Sequence, residues 1–229
     1  MTLPLAVRDL RVASAGGRAL LDVPALDLPA GALVGVRGPS GAGKTTLLHA
    51  LAGLLEADGT VRWGETELLA LGAEGRAAFR ARSLGLVFQD FLLFEELGAL
   101  ENASVAAMFA APVARQAIRD RAADGLRGLG IDPDDARPVS SHSGGERQRI
   151  AVARALAGGA GLLLADEPTA SLHRDAADRL VDDLIRLVRE TGATLIAVSH
   201  DETLIARMDR VLTIADGRIE GGATHEAAA

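Results

Sequence analysis

The sequence predicts an α/β fold, a largely parallel sheet covered by helices on both faces. Apolar runs of strand length, Leu33–Val36, Leu84–Phe88, Leu162–Ala165 and Thr194–Ser199, alternate with stretches of helical periodicity. A glycine-rich segment, GPSGAGKTT over Gly38–Thr46, stands between the first of these runs and an amphipathic one. With 229 residues, 48% of them hydrophobic, the chain is long enough to bury the core of one large domain or of two closely packed lobes.

Taken in order, the Leu- and Val-rich runs of residues 3–12 and 26–36, broken by Pro29, Ala30 and Gly31, read as strands and turns. They put a β-rich edge ahead of the glycine segment. Leu47, Leu48, Leu51, Leu54 and Leu55 form one apolar helical face, and Gly59–Trp63 reads as a further strand. Residues 70–82 have helical tendency. Residues 99–127 are rich in Ala and poor in strand formers, so they read as a helical insertion ending in a loop over 131–141 that holds Pro133 and Pro138. Helix is expected over 145–156 and 175–189; Leu180, Leu184, Leu187 and Val188 mark the inward face of the second. Val211–Ala215 and Arg218–Glu220 flank Asp216-Gly217 as a hairpin. The tail from residue 222 onward reads as flexible.

The glycine segment matches G-x-x-x-x-G-K-[ST] at Gly38, Gly43, Lys44 and Thr45. Gly38, Gly41 and Gly43 permit a tight turn that points amides at phosphate oxygens. Pro39, Ser40, Ala42 and Thr46 complete the loop. Lys44 brings a mobile positive charge, and Thr45 offers a hydroxyl to Mg²⁺ at a helix N-terminus that favours anions. These residues predict a nucleoside triphosphate site.

Asp166 and Glu167 follow the apolar run Leu162–Ala165, at the strand end where open α/β sheets collect ligands. Asp166 is expected to hold Mg²⁺ and Glu167 to polarise an attacking water. Ser143-Gly144-Gly145-Glu146 is first a capping box, and its glycines leave helix N-terminal amides open to a phosphate.

The order GPSGAGKTT, SGGERQR, LLLADEPTASL resembles the ATPase subunits of ATP-binding cassette transporters, over essentially the whole chain. The resemblance implies a P-loop NTPase (RecA-like) core with an N-terminal antiparallel β subdomain and an α-helical subdomain inserted at about residues 90–150 of a single domain spanning 1–221. It implies ATP and Mg²⁺ as cofactors and a head-to-tail pair of cassettes, a homodimer or a pair of close paralogues. Each ATP then lies between one phosphate loop and the partner's signature, here Ser143, Gly144 and Gly145. Gln89 matches the glutamine that touches Mg²⁺ and the attacking water, and His200 the histidine that contacts the γ-phosphate. The resemblance further implies a membrane permease subunit as partner and a peripheral position on the cytoplasmic face of the inner membrane; Phe88, Phe91 and Phe94 read either as inward packing or as an exposed groove that seats the permease. Ala99-Leu100-Glu101-Asn102 and SGGERQRIAVARAL are most similar to the lipoprotein-releasing, macrolide-efflux and cell-division group. In that group a regulatory ATPase that gates a membrane complex without transport is the alternative function.

The composition narrows the classes. A net charge of −7 with both signs interspersed argues against a nucleic-acid partner. The absence of cysteine excludes disulfides and thiolate metal sites and agrees with a reducing compartment. No run reaches membrane-spanning length, and residues 1–9 have no leader pattern. Three features depart from the family pattern. The stretch Val12–Gly16 has no aromatic residue for the base, which predicts weaker or less purine-selective binding. His142 stands where the signature normally has Leu, and His173 where the loop after the glutamate normally has Asp. The resemblance places the His173 loop across the cassette interface, where a group that titrates near neutrality in place of a carboxylate would alter pairing or make it pH-dependent; a tolerated exposed histidine is the other reading of His173.

Overall fold

The computed structural model describes residues 2–170 and 172–224. β1 (Leu5–Ala13) and β2 (Ala19–Leu28) form an antiparallel hairpin whose buried side chains alternate, Leu5 and Val7 and then Leu10 and Val12. The alternation slips by one at Asp9, where φ is +50° and the pairing breaks register. β3 (Leu33–Arg37) leads into α1 (Lys44–Leu51), and β4 (Asp58–Trp63) and β5 (Thr66–Glu67) complete a four-stranded antiparallel sheet, ordered β2-β1-β4-β5. The buried Trp63 indole donates to the Leu51 carbonyl at 3.0 Å, tying the end of α1 to this sheet.

Next come α2 (Ala73–Ser83), β6 (Leu84–Val87), α3 (Ala99–Ala103), α4 (Pro112–Gly128) and α5 (Gly144–Ala157). β7 (Leu162–Asp166), α6 (Arg174–Thr191), β8 (Thr194–Val198), α7 (Glu202–Ala206), β9 (Arg210–Ala215) and β10 (Arg218–Thr224) follow. The second sheet is ordered β10-β9-β3-β8-β7-β6, parallel except for β10.

This second sheet separates two cores. On one face Val34, Val36, Leu162, Leu164, Ile196 and Val198 pack with α1 and the antiparallel sheet. On the other, Leu33, Leu163, Ala165, Leu195 and Ala197 pack with α4, α5 and α6. Strand residues of opposite parity therefore serve different lobes, which is why these runs are apolar throughout rather than alternating.

Several boundaries differ from the sequence reading. The first helix starts at Lys44 and ends at Leu51, because Gly53 takes φ +63° and Leu54 caps back onto the His49 carbonyl at 2.9 Å. The insertion expected as one helical run splits into α3, a 3₁₀ turn over Val105–Met108, and α4, which opens on Pro112. Gly222, Ala223 and Thr224, expected in the flexible tail, instead pair with Leu212, Val211 and Arg210 past a bulge after Glu220. Residues 225–229 lie outside the described residues.

Candidate nucleotide site

The phosphate loop joins the C-terminal end of β3 to α1 and is shaped by its glycines. A Cβ at Gly38, where φ is +154°, would lie 2.1 Å from the Ile214 carbonyl oxygen. One at Gly43, φ +102°, would lie 2.8 Å from that of Leu20. Gly41, φ +76°, has nothing within 4 Å of that position, which leaves room beside its backbone for an anion. The Lys44 ammonium donates to the carbonyls of Gly38 at 2.8 Å and Pro39 at 2.9 Å. The β9–β10 turn braces the loop from outside, the Gly217 amide donating to Ala42 at 2.9 Å.

A cavity of about 330 Å³ opens on this loop, lined by Gly41, Lys44, Thr45 and Thr46, and beyond them by Arg18, Leu20 and Asp216. No aromatic side chain lines it. Arg18 and Leu20 are absent from the sequence reading because the start of β2 carries no strand alternation there. The Asp216-Gly217 dipeptide reads only as a hairpin turn.

The carboxylates stand at the same sheet edge. Asp166 ends β7 with 7% of its surface exposed, paired in register with Val198 of β8. Glu167 adopts φ +49°, a strained conformation for a residue with a side chain, and its amide donates to the Val198 carbonyl at 2.9 Å. That turn carries its carboxylate to His200, whose Nδ1 lies 2.9 Å from Oε2. The Ser199 hydroxyl reaches the same oxygen at 3.4 Å. Glu167 and His200, 33 residues apart, are thus brought into direct contact because β7 and β8 are neighbours.

Thr45, Asp166 and Gln89 offer a hydroxyl, a carboxylate and an amide oxygen. Among the described residues no group of three His, Cys, Asp or Glu is gathered for a metal. A sparse, all-oxygen donor set fits Mg²⁺, which takes one or two carboxylates and fills its shell with phosphate and water.

Gln89 is exposed, two residues past β6, at the start of a segment with unusual backbone. Phe91 and Leu92 are left-handed, at φ +59° and +49°. Arg154 of α5 donates to both of their carbonyls, at 2.5 and 2.6 Å. Burial pushes the Arg154 guanidinium below its ordinary pKa. The buried Asn102 closes the following turn: its Oδ1 accepts from the Phe94 amide at 2.8 Å, and its Nδ2 donates to the carbonyls of Phe94, Leu97 and Gly98. Phe88 packs edge-on to His49, and the Arg147 guanidinium lies 5.9 Å from the Phe91 ring centre. Leu92 and Phe94 are 58% and 50% exposed, so this aromatic cluster is partly core and partly surface.

Ser143 caps α5 as the spacing predicts. Its hydroxyl accepts from the Glu146 amide at 3.3 Å, while its amide and hydroxyl donate to Glu146 Oε2 at 2.8 and 2.7 Å. Those bonds hold the Glu146 carboxyl below the usual carboxylate range. A Cβ at Gly145 would meet the Leu172 side chain at 3.3 Å. Among the described residues, no hydrogen bond or ion pair joins Ser143, Gly144 or Gly145 to the phosphate loop. His142, which precedes Ser143, is buried, its side chain 1% exposed. His173 is exposed and begins α6 without a side-chain cap.

A profile of the ABC transporter family matches residues 21–170. The chain belongs to that family. It is 38% identical over 208 residues to the lipoprotein-releasing system ATP-binding protein LolD of Hyphomonas neptunium, covering 90% of both chains. It is 40% identical over 204 residues to the macrolide export ATP-binding/permease protein MacB of Bradyrhizobium diazoefficiens, covering 88% of this chain and 30% of that one. A dimeric ATP-binding cassette in a post-hydrolysis state, bound to ADP and Pi, superimposes with a TM-score of 0.86 at 28% identity, over 96% of this chain and 98% of the other. The protein is an ATP-binding subunit of this family and an ATPase. No helix among the described residues is long and apolar enough to cross a membrane.

Proposed function

We propose that this cassette powers a complex of the lipoprotein-releasing type, bound peripherally to the permease at the cytoplasmic face of the inner membrane. Full-length similarity to LolD supports that choice over MacB, in which the cassette is under a third of the chain. Residues 1–221 act as one ATPase domain, with the helical subdomain at about 90–150.

The contact between Glu167 and His200 carries the catalytic assignment. Glu167 takes the proton of the water that attacks the γ-phosphorus as the bond to ADP breaks. His200, on the outer side of that carboxylate, orients it and touches the γ-phosphate. Residues 38–46 hold the phosphates through backbone amides and Lys44. Thr45, Gln89 and Asp166 would hold Mg²⁺, which would supply neutralisation of phosphate charge. Ser143, Gly144 and Gly145, which make no hydrogen bond or ion pair to the phosphate loop of their own chain among the described residues, close the site of the partner cassette. Leu92 and Phe94, exposed beside Gln89, form the apolar surface offered to the permease.

Glu167→Gln tests this. Its ATPase rate is expected to fall about 10²- to 10⁴-fold, while Mg·ATP shifts it from monomer to dimer in light scattering. A protein that stays monomeric in saturating Mg·ATP and captures no permease refutes the assembly. An unchanged rate refutes the role of Glu167.

A further inference from the structure

His142 is enclosed, yet only one of its ring nitrogens has a partner. Nδ1 lies 3.2 Å from the Pro138 carbonyl oxygen, an acceptor only, so Nδ1 carries the hydrogen of the neutral ring. Nε2 is buried without a hydrogen bond, and its lone pair faces Asp135 Oδ2 at 3.7 Å. Acceptor therefore confronts acceptor in a side chain 1% exposed. Asp135 cannot relieve this by taking a proton near neutrality. Its hydrogen bond to Arg137, at 2.7 Å, holds it down to about 2.

The charged groups around the ring form one chain that ends on the signature serine. Asp135 binds Arg137, Arg137 lies 3.7 Å from Glu146 Oε1, and Glu146 Oε2 accepts from Ser143. His142 itself immediately precedes Ser143. Asp135, Arg137 and Glu146 are the charged groups that face it from the 132–138 loop and from α5.

We propose that His142 is a positioning residue that makes engagement of the signature proton-dependent: uptake of a proton at Nε2 turns the facing lone pair into a donor to Asp135. Two consequences share one sign. The 135–138 loop is drawn onto the start of α5, and a positive charge appears one residue before the serine that meets the partner's γ-phosphate. Cassette pairing is therefore strengthened when falling pH puts a proton on this ring, and this contribution is lost as pH rises. The proposal rests on the head-to-tail assembly given above.

The test measures Mg·ATP-driven dimerisation of the Glu167→Gln protein at pH 6 and pH 8, alone and combined with His142→Leu, His142→Gln or Asp135→Asn. With the Asp135 side of the pair 22% exposed, protonation is expected to tighten the dimer about two- to fivefold at pH 6. That ratio should fall to near one in both His142 variants and part of the way to one with Asp135→Asn. The same ratio in all four proteins overturns the role of His142. Should one His142 variant fail to fold, the other and Asp135→Asn still decide. Failure of every protein to dimerise at either pH is a different result: it overturns the assembly, and this proposal with it.

Discussion

The phosphate loop and the signature segment both present amides at the N-terminus of a helix, but they are held by opposite means. The loop is held by backbone: Gly38 and Gly43 abut the carbonyls of Ile214 and Leu20, and Gly217 braces Ala42 from the hairpin. α1 has no side-chain cap. The signature is held by side chains, through the Ser143–Glu146 box and the Asp135–Arg137 pair behind it. The backbone-built loop admits no added atom at Gly38 or Gly43, whereas a site built from charges responds to substitution and pH. The Arg154 clamp on the carbonyls of Phe91 and Leu92 joins the two halves, since it fixes the Gln89 segment to the signature helix.

Glycine substitutions are the sharpest way to break this contrast. Gly38→Ala places a carbon 2.1 Å from a backbone oxygen, which no rotamer relieves. It is expected to cost about 3 kcal/mol in urea unfolding and to abolish ATP binding. Gly41→Ala meets nothing and should lose only about 1–2 kcal/mol, from its left-handed backbone. Equal losses at the two positions would show that steric contact does not shape the loop.

Arg154→Leu comes next. It leaves two carbonyls without their charged donor, a loss of about 1–3 kcal/mol. Amide exchange should accelerate across residues 88–98 while ATP affinity is retained. Unchanged exchange would remove Arg154 as the link.

The smallest effect is acid sensitivity of the signature side. The Arg137 hydrogen bond lowers the Asp135 pKa from 3.8 to about 2, so its anion supports the folded state above pH 3.8. That support is lost as pH falls from about 4 towards 2. The 135–146 segment should therefore loosen there before the phosphate loop does. Asp135→Asn should make the loosening independent of pH over that window, as followed by amide exchange.

Much of the cradle was legible because it depends on local chemistry. GPSGAGKTT after an apolar run specifies strand, turn and helix N-terminus within 20 residues, and Ser143-x-x-Glu146 specifies its own cap. The insertion was legible as helical but not as two helices, because Ala-rich composition is compatible with a continuous helix and only the break over residues 104–111 divides it. Arg154 was hidden inside an ordinary amphipathic repeat. Its partners are carbonyls 62 and 63 residues away, which no spacing signals. Arg18 and Leu20 were hidden because their strand is half exposed and shows no alternation at its start.

The residues by themselves determined the α/β class, the phosphate loop, the carboxylates at the strand end and the capped signature, since each follows from backbone preference over a few neighbours. Tertiary structure alone decided that His200 meets Glu167, that Arg154 grips the Gln89 segment and that His142 is buried against Asp135. Those contacts depend on which strands adjoin and which loops fold over a helix end, and that order is set by the packing of two cores on opposite faces of one sheet.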